Sequence, residues 1–231
     1  MSKGVIYTLS LSDCEYKYKI YTNTKMDIPL DAIYYINLEH RTDKRYHIET
    51  SVLPYFEGIP LATRIERFSA ISNANGAIGC SLSHLDVARK AKAAGARYYL
   101  VFEDDFDFLI GKEEFQNWLI NLFSPPQLDF KVVMLAYNAL QNEPYSNILY
   151  KSNNAQTTAG FIVNCTYLDE LIACWEYGII KFLETGEHWN WACDQCWKVL
   201  QKEKWFIAAK RIGKQKPAIS DIGQCWVNPK F

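Results

Sequence analysis

Short runs of apolar residues recur along the chain, and longer polar segments separate them. Most of these runs have no polar face. Runs of this kind are typical of strands that are buried on both faces of a sheet. We therefore predict strands at Ile33–Leu38, Tyr98–Phe102, Val132–Ala136, Phe161–Val163 and Trp205–Ala209.

Between these runs, apolar residues recur every three or four positions, which is the spacing of one helix face. We predict helices at Ser81–Ala94, at Glu113–Phe123, from Leu168 through Trp175, and at Asn190–Leu200. Alternating strands and helices are typical of an α/β fold with a mostly parallel sheet flanked by helices. Since no linker divides this pattern, we predict a single domain over residues 31–231, preceded by an N-terminal extension, residues 1–30, of unknown role.

The composition excludes several classes of protein. The chain has 231 residues, of which 49% are hydrophobic and 22% charged, and these fractions exclude intrinsic disorder. The formal net charge of -1 argues against a nucleic-acid partner, because binding to phosphates needs an excess of Lys and Arg. Asp13 and Glu15 come too early for a secretory signal, and nowhere do 18 apolar residues run together, so we expect no transmembrane segment.

The cysteines indicate a reducing compartment. Seven of them are scattered along the chain, and an odd number in a chain of this size is not typical of a disulfide framework. We expect reduced thiols and a cytoplasmic location. Cys193 and Cys196 have Cys-x-x-Cys spacing, but no second pair and no suitably spaced His accompany them, so we interpret them as two small residues on one helix face rather than a zinc site.

The strongest chemical signal is the acidic run Glu103-Asp104-Asp105, which directly follows the strand Tyr98–Phe102. Ligands of open parallel sheets bind just beyond the carboxyl ends of the strands. Two like charges at 4 Å repel by about 4 kcal/mol at an effective dielectric constant of 20, so a cation is expected to offset them. Mg²⁺ or Mn²⁺, shared with substrate phosphates, suits carboxylate oxygens. A solvated acidic turn is an equally good interpretation of these residues alone.

Asp105 and Asp107 also have the Asp-x-Asp spacing of haloacid-dehalogenase-like phosphatases. In that family the first Asp follows the strand almost immediately, whereas two acidic residues intervene here. The family also has Thr or Val two places after the second Asp, where this chain has Leu109. A metal-dependent phosphatase is therefore the alternative rather than the first hypothesis.

Two further segments contain candidate binding residues. Gly76–His84 places glycines ahead of a predicted helix, where free backbone N–H groups and the helix dipole favour a phosphate. His84 alone is also compatible with a helix histidine that bonds to a neighbouring strand. In the segment His188–Asp194, exposed Trp rings would suit a sugar, although Trp residues more often lie in a core.

Taken together, these segments resemble glycosyltransferase family 25, which contains bacterial lipopolysaccharide galactosyltransferases and collagen β-galactosyltransferases. The similar stretches run in the family's order over about residues 33–222. They are Ile36-Asn37-Leu38 with Arg41, Asp43 and Arg45 (I-N-L-x-x-R-x-D-R, with one extra residue), Arg67–Ala70 (R-F-x-A), Gly76–His84 (G-x-x-G-C-x-x-S-H), Glu103–Asp105 (E-D-D), Thr158–Val163, Asp194 and Pro217–Ile222.

The resemblance implies a GT-A-type, Rossmann-like fold and a site for a nucleotide sugar. Asp105 would be the principal ligand of Mn²⁺ or Mg²⁺, with Glu103 as the other acid of the E-D-D signature. Asp194 would be the general base. The residues expected on the nucleotide side are Asn37, Arg45, Ala70, Ser83, His84, Glu103 and Asp104.

The activity implied by the resemblance is an inverting transfer of a hexose, most often galactose, from a UDP-sugar to an acceptor hydroxyl. The acceptor would be a saccharide, as in lipopolysaccharide biosynthesis, or a hydroxylated protein side chain. A peripheral membrane contact stays open. A non-catalytic module that binds nucleotide sugars or glycans is a further alternative, although the presence of Glu103, Asp105 and Asp194 argues against it.

Overall fold

The computed structural model describes residues 28–59, 64–223 and 225–228. The predicted N-terminal extension, residues 1–30, lies outside the described residues except for its last three. Two of those three, Ile28 and Leu30, are each only 1% exposed and belong to the hydrophobic core. The described fold therefore begins by residue 28.

The elements alternate as the apolar pattern predicts. The strands are β1 (Leu30–Asn37), β2 (Arg64–Ser69), β3 (Tyr98–Glu103), β4 (Phe106–Phe108), β5 (Val132–Met134), β6 (Asn138–Ala139), β7 (Asn142–Pro144), β8 (Leu149–Ser152), β9 (Ala155–Gln156), β10 (Gly160–Asn164), β11 (Trp205–Ala208), β12 (Gly213–Gln215), β13 (Ala218–Ile219) and β14 (Trp226–Val227). The α-helices are α1 (Thr42–His47), α2 (Gly76–Ala93), α3 (Lys112–Phe123), α4 (Leu168–Thr185), α5 (His188–Trp191) and α6 (Cys193–Cys196). Single turns of π or 3₁₀ helix cover Ile48–Val52, Leu53–Phe56, Cys165–Tyr167 and Trp197–Leu200.

The described residues form an 8-stranded central sheet in the order β2-β1-β3-β10-β5-β11-β8-β7. Strands β1, β2 and β3 are mutually parallel, and β5 and β11 run in the same direction. Strands β10 and β8 are antiparallel to their neighbours. The prediction of a mixed, mostly parallel sheet flanked by helices is therefore confirmed.

The two faces of the sheet support two hydrophobic cores. Along β1, Ile33 and Tyr35 point into the core that contains the apolar side of α3. Tyr34 and Ile36 point into the core that contains residues of α2 and α4. This alternation follows from the two-residue period of a strand. It explains why β1 is an almost continuous apolar run.

Two predicted helices differ from the observed ones. Helix α2 begins at Gly76 rather than Ser81, because the Asn75 side chain caps it by accepting a hydrogen bond from Ala77 N at 3.1 Å. The single helix predicted at Asn190–Leu200 is wrong, since the backbone turns to an extended ψ of 154° at Ala192. Beyond that break, the backbone N–H of Cys193 bonds to Ser81 Oγ at 3.1 Å, so a tertiary contact replaces the helical one.

The carboxyl end of β3 positions the candidate site. There the chain turns at Asp104 and Asp105 and returns as β4, which pairs with the late strand β12. The segment after β12 then passes over the turn, where the backbone N–H of Lys216 bonds to the carbonyl oxygen of Asp105 at 2.6 Å. This bond places the segment that follows β12 against the acidic turn.

Candidate active site

A buried lysine lies among the carboxylates of the acidic turn. Lys44 Nζ is 3.1 Å from Asp104 Oδ1, 3.6 Å from Asp105 Oδ2 and 3.2 Å from Asp221 Oδ2, and its side chain is only 10% exposed. Burial alone would lower the pKa of Lys44, but the charges of Asp105 and Asp104 raise it above its ordinary value. The lysine is therefore a permanent cation at the carboxyl edge of the sheet.

Asp105 has an oxygen with no protein partner. Its Oδ1 atom is buried and accepts no hydrogen bond from the described residues. Burial first, and then the neighbouring Glu103 carboxylate, raise the pKa of Asp105 to about 7. A buried, unpartnered carboxylate oxygen costs free energy unless a cation or a donor reaches it. The chemistry of this position therefore fits a hard metal ion.

The charges around the turn do not balance without such a cation. Arg41 forms an ion pair with Asp221 and donates a hydrogen bond to the carbonyl oxygen of Ile219 at 3.2 Å. Arg41 also forms an ion pair with Asp43, so counting Asp43, Asp104, Asp105 and Asp221 against Arg41 and Lys44 leaves two negative charges in excess. That excess agrees with the raised pKa of Asp105.

Asn37 and Ala70, which were expected on the nucleotide side, lie beside the acidic turn. Asn37 Nδ2 donates to Asp104 Oδ2 at 2.8 Å and to the carbonyl oxygen of Arg41 at 3.0 Å. Its Oδ1 accepts from Arg67 Nε at 3.1 Å, and its carbonyl oxygen accepts from Ala70 N at 3.0 Å. The ends of β1, β2 and β3 are thereby joined through one buried amide.

Arg45, which was also expected on the nucleotide side, is not brought to the acidic turn. Its Nε atom donates to Glu49 Oε1 at 2.9 Å, and its side chain is 44% exposed. The preceding residue, Lys44, points to the turn instead. Successive helix residues face different directions, about 100° apart, so only one of the two can point into the site.

One oxygen of Glu103, Oε1, has three hydrogen-bond partners inside the fold. Its Oε1 accepts from Thr158 Oγ1 at 2.6 Å, contacts His84 Nε2 at 3.1 Å and accepts from Cys80 Sγ at 3.5 Å. Burial raises the pKa of Glu103, but these partners lower it below its ordinary value. The ligand atoms of Cys80, His84 and Glu103 lie within 4.8 Å of one another, so this group could also hold a metal ion.

The side chains of Ser83 and His84 are buried, which changes what they can do at the site. His84 is 1% exposed, and Ser83 is fully buried. Ser83 Oγ accepts from Ile71 N at 2.8 Å and donates to the carbonyl oxygen of Gly79 at 2.7 Å. Both residues were expected to line the nucleotide side; in the structure His84 contacts Glu103, and Ser83 bonds to the loop at Ile71.

Asp194 and Glu103 line one small cavity of about 230 Å³. Asp194 Oδ2 accepts from the backbone N–H of Thr157 at 3.1 Å, and Thr157 has a φ of 82°. A β-branched residue in that region is strained, and such strain is common at functional sites. Burial raises the pKa of Asp194 above its ordinary value. The next residue, Thr158, bonds to Glu103, so one dipeptide joins the two carboxylates.

The tryptophans before Asp194 do not lie in this cavity. Trp189 is 60% exposed and packs against the ring of His188, with the ring centroids 5.1 Å apart. Trp191 packs edge-on against Tyr177 at 5.8 Å. Neither Trp belongs to the cavity's lining as far as the structure describes it. A platform for the acceptor directly beside Asp194 is therefore not formed by these rings.

Lys44, Asp221 and Thr157 have no predicted role in the sequence. In the structure Lys44 contacts Asp104 and Asp105, Thr157 contacts Asp194, and Asp221 shares Lys44 with the acidic turn. Lys44 and Asp221 lie inside the opening and closing motifs, so the motifs contained a signal for both. Asp107, the second acid of the phosphatase spacing, lies in β4, where its Oδ1 is 3.9 Å from His47 Nε2. Asp105 contacts Lys44 instead, so the two acids of that spacing have different ion-pair partners.

Comparison with known proteins shows the fold. No protein-family model matches the chain, and no curated protein matches it in sequence. A solved glycosyltransferase involved in the glycosylation of the major capsid of PBCV-1 is similar in structure, with a TM-score of 0.53 and 10% identity over 85% of this chain and 97% of that one. A mannose-1-phosphate geranyltransferase from Thermus thermophilus gives a TM-score of 0.45 with 11% identity, over 81% of this chain and 74% of that one. The GT-A-like fold prediction is thus confirmed.

No described helix is both long and apolar enough to cross a bilayer.

Proposed function

We propose that the protein is an inverting glycosyltransferase that moves a hexose from a UDP-sugar to an acceptor hydroxyl, with the help of a divalent metal. The observation that carries this proposal is the buried, unpartnered Oδ1 of Asp105 at the carboxyl edge of the sheet. The shared fold with a known glycosyltransferase supports it. The order of the sequence motifs favours galactose as the hexose.

Mn²⁺ or Mg²⁺ would be held by Asp105. Glu103 would contribute through its Oε2, since its Oε1 already has three partners and Oε2 has only a long contact of 3.4 Å from the amide of Gln215 among the bonds described. When bound, such a metal neutralises negative charge on a departing diphosphate.

The protein's own cations and amides would orient the donor. Lys44 and Arg41 both form ion pairs with Asp221 beside the acidic turn. A diphosphate that approaches this edge would compete with Asp221 for them. Asn37 fixes Asp104 and, with Arg67, the ends of three strands, so the phosphate side of the site is rigid before the donor binds.

Asp194 would accept the proton of the acceptor hydroxyl. It lies in the cavity that Glu103 also lines, so the base and Glu103 face one space. The Thr157 N–H bond holds the carboxylate in one orientation and favours its ionised form. The acceptor would be a saccharide or a hydroxylated protein side chain, as the family resemblance implies.

Calorimetric titration with UDP tests this assignment. Wild-type protein should bind UDP more tightly with Mn²⁺ than with a chelator, and Asp105→Asn should lose that difference. Asp107→Asn, which changes a nearby acid with another partner, is the matched control and should keep it. Equal UDP affinity with metal and with chelator would contradict the metal assignment.

A further inference from the structure

Two cysteines from distant parts of the chain meet at the wall of the small cavity. Cys80 lies in α2 and Cys193 begins α6, and their Sγ atoms are 4.0 Å apart. Both residues line the cavity that Glu103 and Asp194 share. Cys193 is buried and Cys80 is half-buried, so a small molecule that enters the cavity reaches both sulfurs.

The surrounding hydrogen bonds keep these sulfurs together. The backbone N–H of Cys193 bonds to Oγ of Ser81, the neighbour of Cys80, at 3.1 Å. The carbonyl oxygen of Cys193 accepts from Trp175 Nε1 at 3.0 Å. A disulfide needs the sulfurs about 2.05 Å apart, so they must approach by roughly 2 Å. Rotation of the two side chains would supply that approach, while the bond from Cys193 N to the Ser81 side chain holds α6 against α2.

We propose that Cys80 and Cys193 are a site of reversible modification, in which a hydroperoxide converts the two thiols to a disulfide. The Cys193 sulfur first takes one oxygen from hydrogen peroxide, the O–O bond breaks, and water leaves, so that Cys193 becomes a sulfenic acid. The Cys80 sulfur then attacks the Cys193 sulfur, the S–O bond breaks, and a second water leaves with the Cys80 proton. The two thiols lose two electrons in total, and the peroxide is reduced by the same two.

The disulfide would tie α2 to α6 across 113 positions of sequence. A disulfide that closes a loop of that size stabilises the fold because it lowers the conformational entropy of the unfolded chain, provided that the bond is not strained. The bond would also remove the Cys80 S–H donor from Glu103 and fix the backbone next to Asp194. This modification does not depend on the proposed transferase activity, since the sulfurs and the peroxide are its only reactants.

The test is a map of the linked peptides. The full chain is treated with hydrogen peroxide, free thiols are blocked with iodoacetamide, and the digest is analysed by mass spectrometry with and without dithiothreitol. We expect a Cys80–Cys193 linked peptide that dithiothreitol resolves. Cys80→Ala should abolish it, whereas Cys165→Ala, which removes another half-buried thiol, should leave it intact. The same treatment in guanidinium should give no preference for this pair.

Several results would overturn the proposal. Wild-type protein that keeps both thiols would contradict it. So would oxidation of Cys193 to a sulfinic acid without linkage, or linkage of either residue only to another cysteine. The wild-type map alone decides the matter if Cys80→Ala does not fold. An inactive transferase with a correct Cys80–Cys193 link would leave this proposal standing.

Discussion

Thr157 donates its backbone N–H to the Asp194 carboxylate at 3.1 Å, and it does so from a left-handed conformation with a φ of 82°. Only glycine adopts such a φ without cost. We expect Thr157→Gly to raise the free energy of unfolding by up to about 1 kcal/mol, because the strain disappears while the N–H remains. Chemical denaturation measures this change.

The control for that prediction is Thr158→Gly, at the neighbouring position. That change removes the Thr158 hydroxyl from Glu103 and leaves Glu103 without its shortest hydrogen bond. It should destabilise the protein. If Thr157→Gly destabilises as much as Thr158→Gly, the conformation of Thr157 is not a source of strain.

Asp194→Asn tests the proposed general base. The amide keeps the size and the Thr157 contact but cannot accept a proton, so turnover should fall by about 10²–10⁴-fold while UDP-sugar affinity stays nearly unchanged. Steady-state kinetics and UDP titration measure the two quantities separately. The exposed Asp169 on α4 provides the control Asp169→Asn, which should leave both quantities unchanged. Near-normal turnover in Asp194→Asn would remove Asp194 from the mechanism.

Lys44→Gln tests whether the lysine and a metal share the same carboxylates. The variant leaves Asp104, Asp105 and Asp221 without their common ammonium, and breaking a buried ion pair on one side costs about 3–5 kcal/mol. We expect a lower melting temperature than in the wild type. Mn²⁺ should stabilise the variant more than the wild type, because the cation that competes with it is gone.

Arg45→Gln is the matched control for that experiment. Arg45 is the next residue and also basic, but it pairs with Glu49 at the surface, where ion pairs contribute little to stability. The melting temperature of Arg45→Gln and the effect of Mn²⁺ on it should match those of the wild type. If Mn²⁺ raises the melting temperature of the wild type and of Lys44→Gln equally, the lysine and the metal do not share the same carboxylates.

The buried pair of His84 and Glu103 predicts a pH window of stability. Burial lowers the pKa of His84, but Glu103 and the other charges nearby raise it above 6.5, so its contribution is complete below pH 6.5 and is lost as the pH rises through the folded pKa. Burial raises the pKa of Glu103, but His84 and the other donors lower it below 4.5, so its contribution is present above pH 4.5 and is lost as the pH falls through the folded pKa.

Thermal unfolding across pH measures this window. The contribution of the pair should be largest between pH 4.5 and 6.5 and should fade on both sides. His84→Gln should flatten the profile, whereas His188→Gln, at an exposed position, should preserve it. A wild-type profile that His84→Gln leaves unchanged would show that the ion pair does not contribute.

The apolar runs predict the fold well because both faces of the central strands are buried. Tyr98–Phe102 has no polar residue, and the structure buries every one of its side chains against the two cores. The break at Ala192 could not be predicted from the same pattern. It depends on the bond between Cys193 and Ser81, which are 112 positions apart.

The acids of the site are visible in the sequence, but their partners are not. Glu103, Asp104 and Asp105 are adjacent, and the strand before them fixes their place. Lys44 and Arg45 are both basic, and only the orientation of α1 decides which of them faces the turn. Asp221 reaches Lys44 from 177 positions away, through the segment that follows β12.

The central claim is a metal-assisted, inverting cleavage of a UDP-hexose, and proton NMR of the released sugar tests it without knowledge of the acceptor. Water can replace the acceptor in a slow hydrolysis of UDP-α-galactose or of other UDP-α-hexoses. In the presence of Mn²⁺ we expect the β-anomer to appear first, before mutarotation, and a chelator or Asp105→Asn should suppress its formation. The α-anomer appearing first, cleavage at the same rate with chelator, or intact UDP-hexoses throughout would contradict the account.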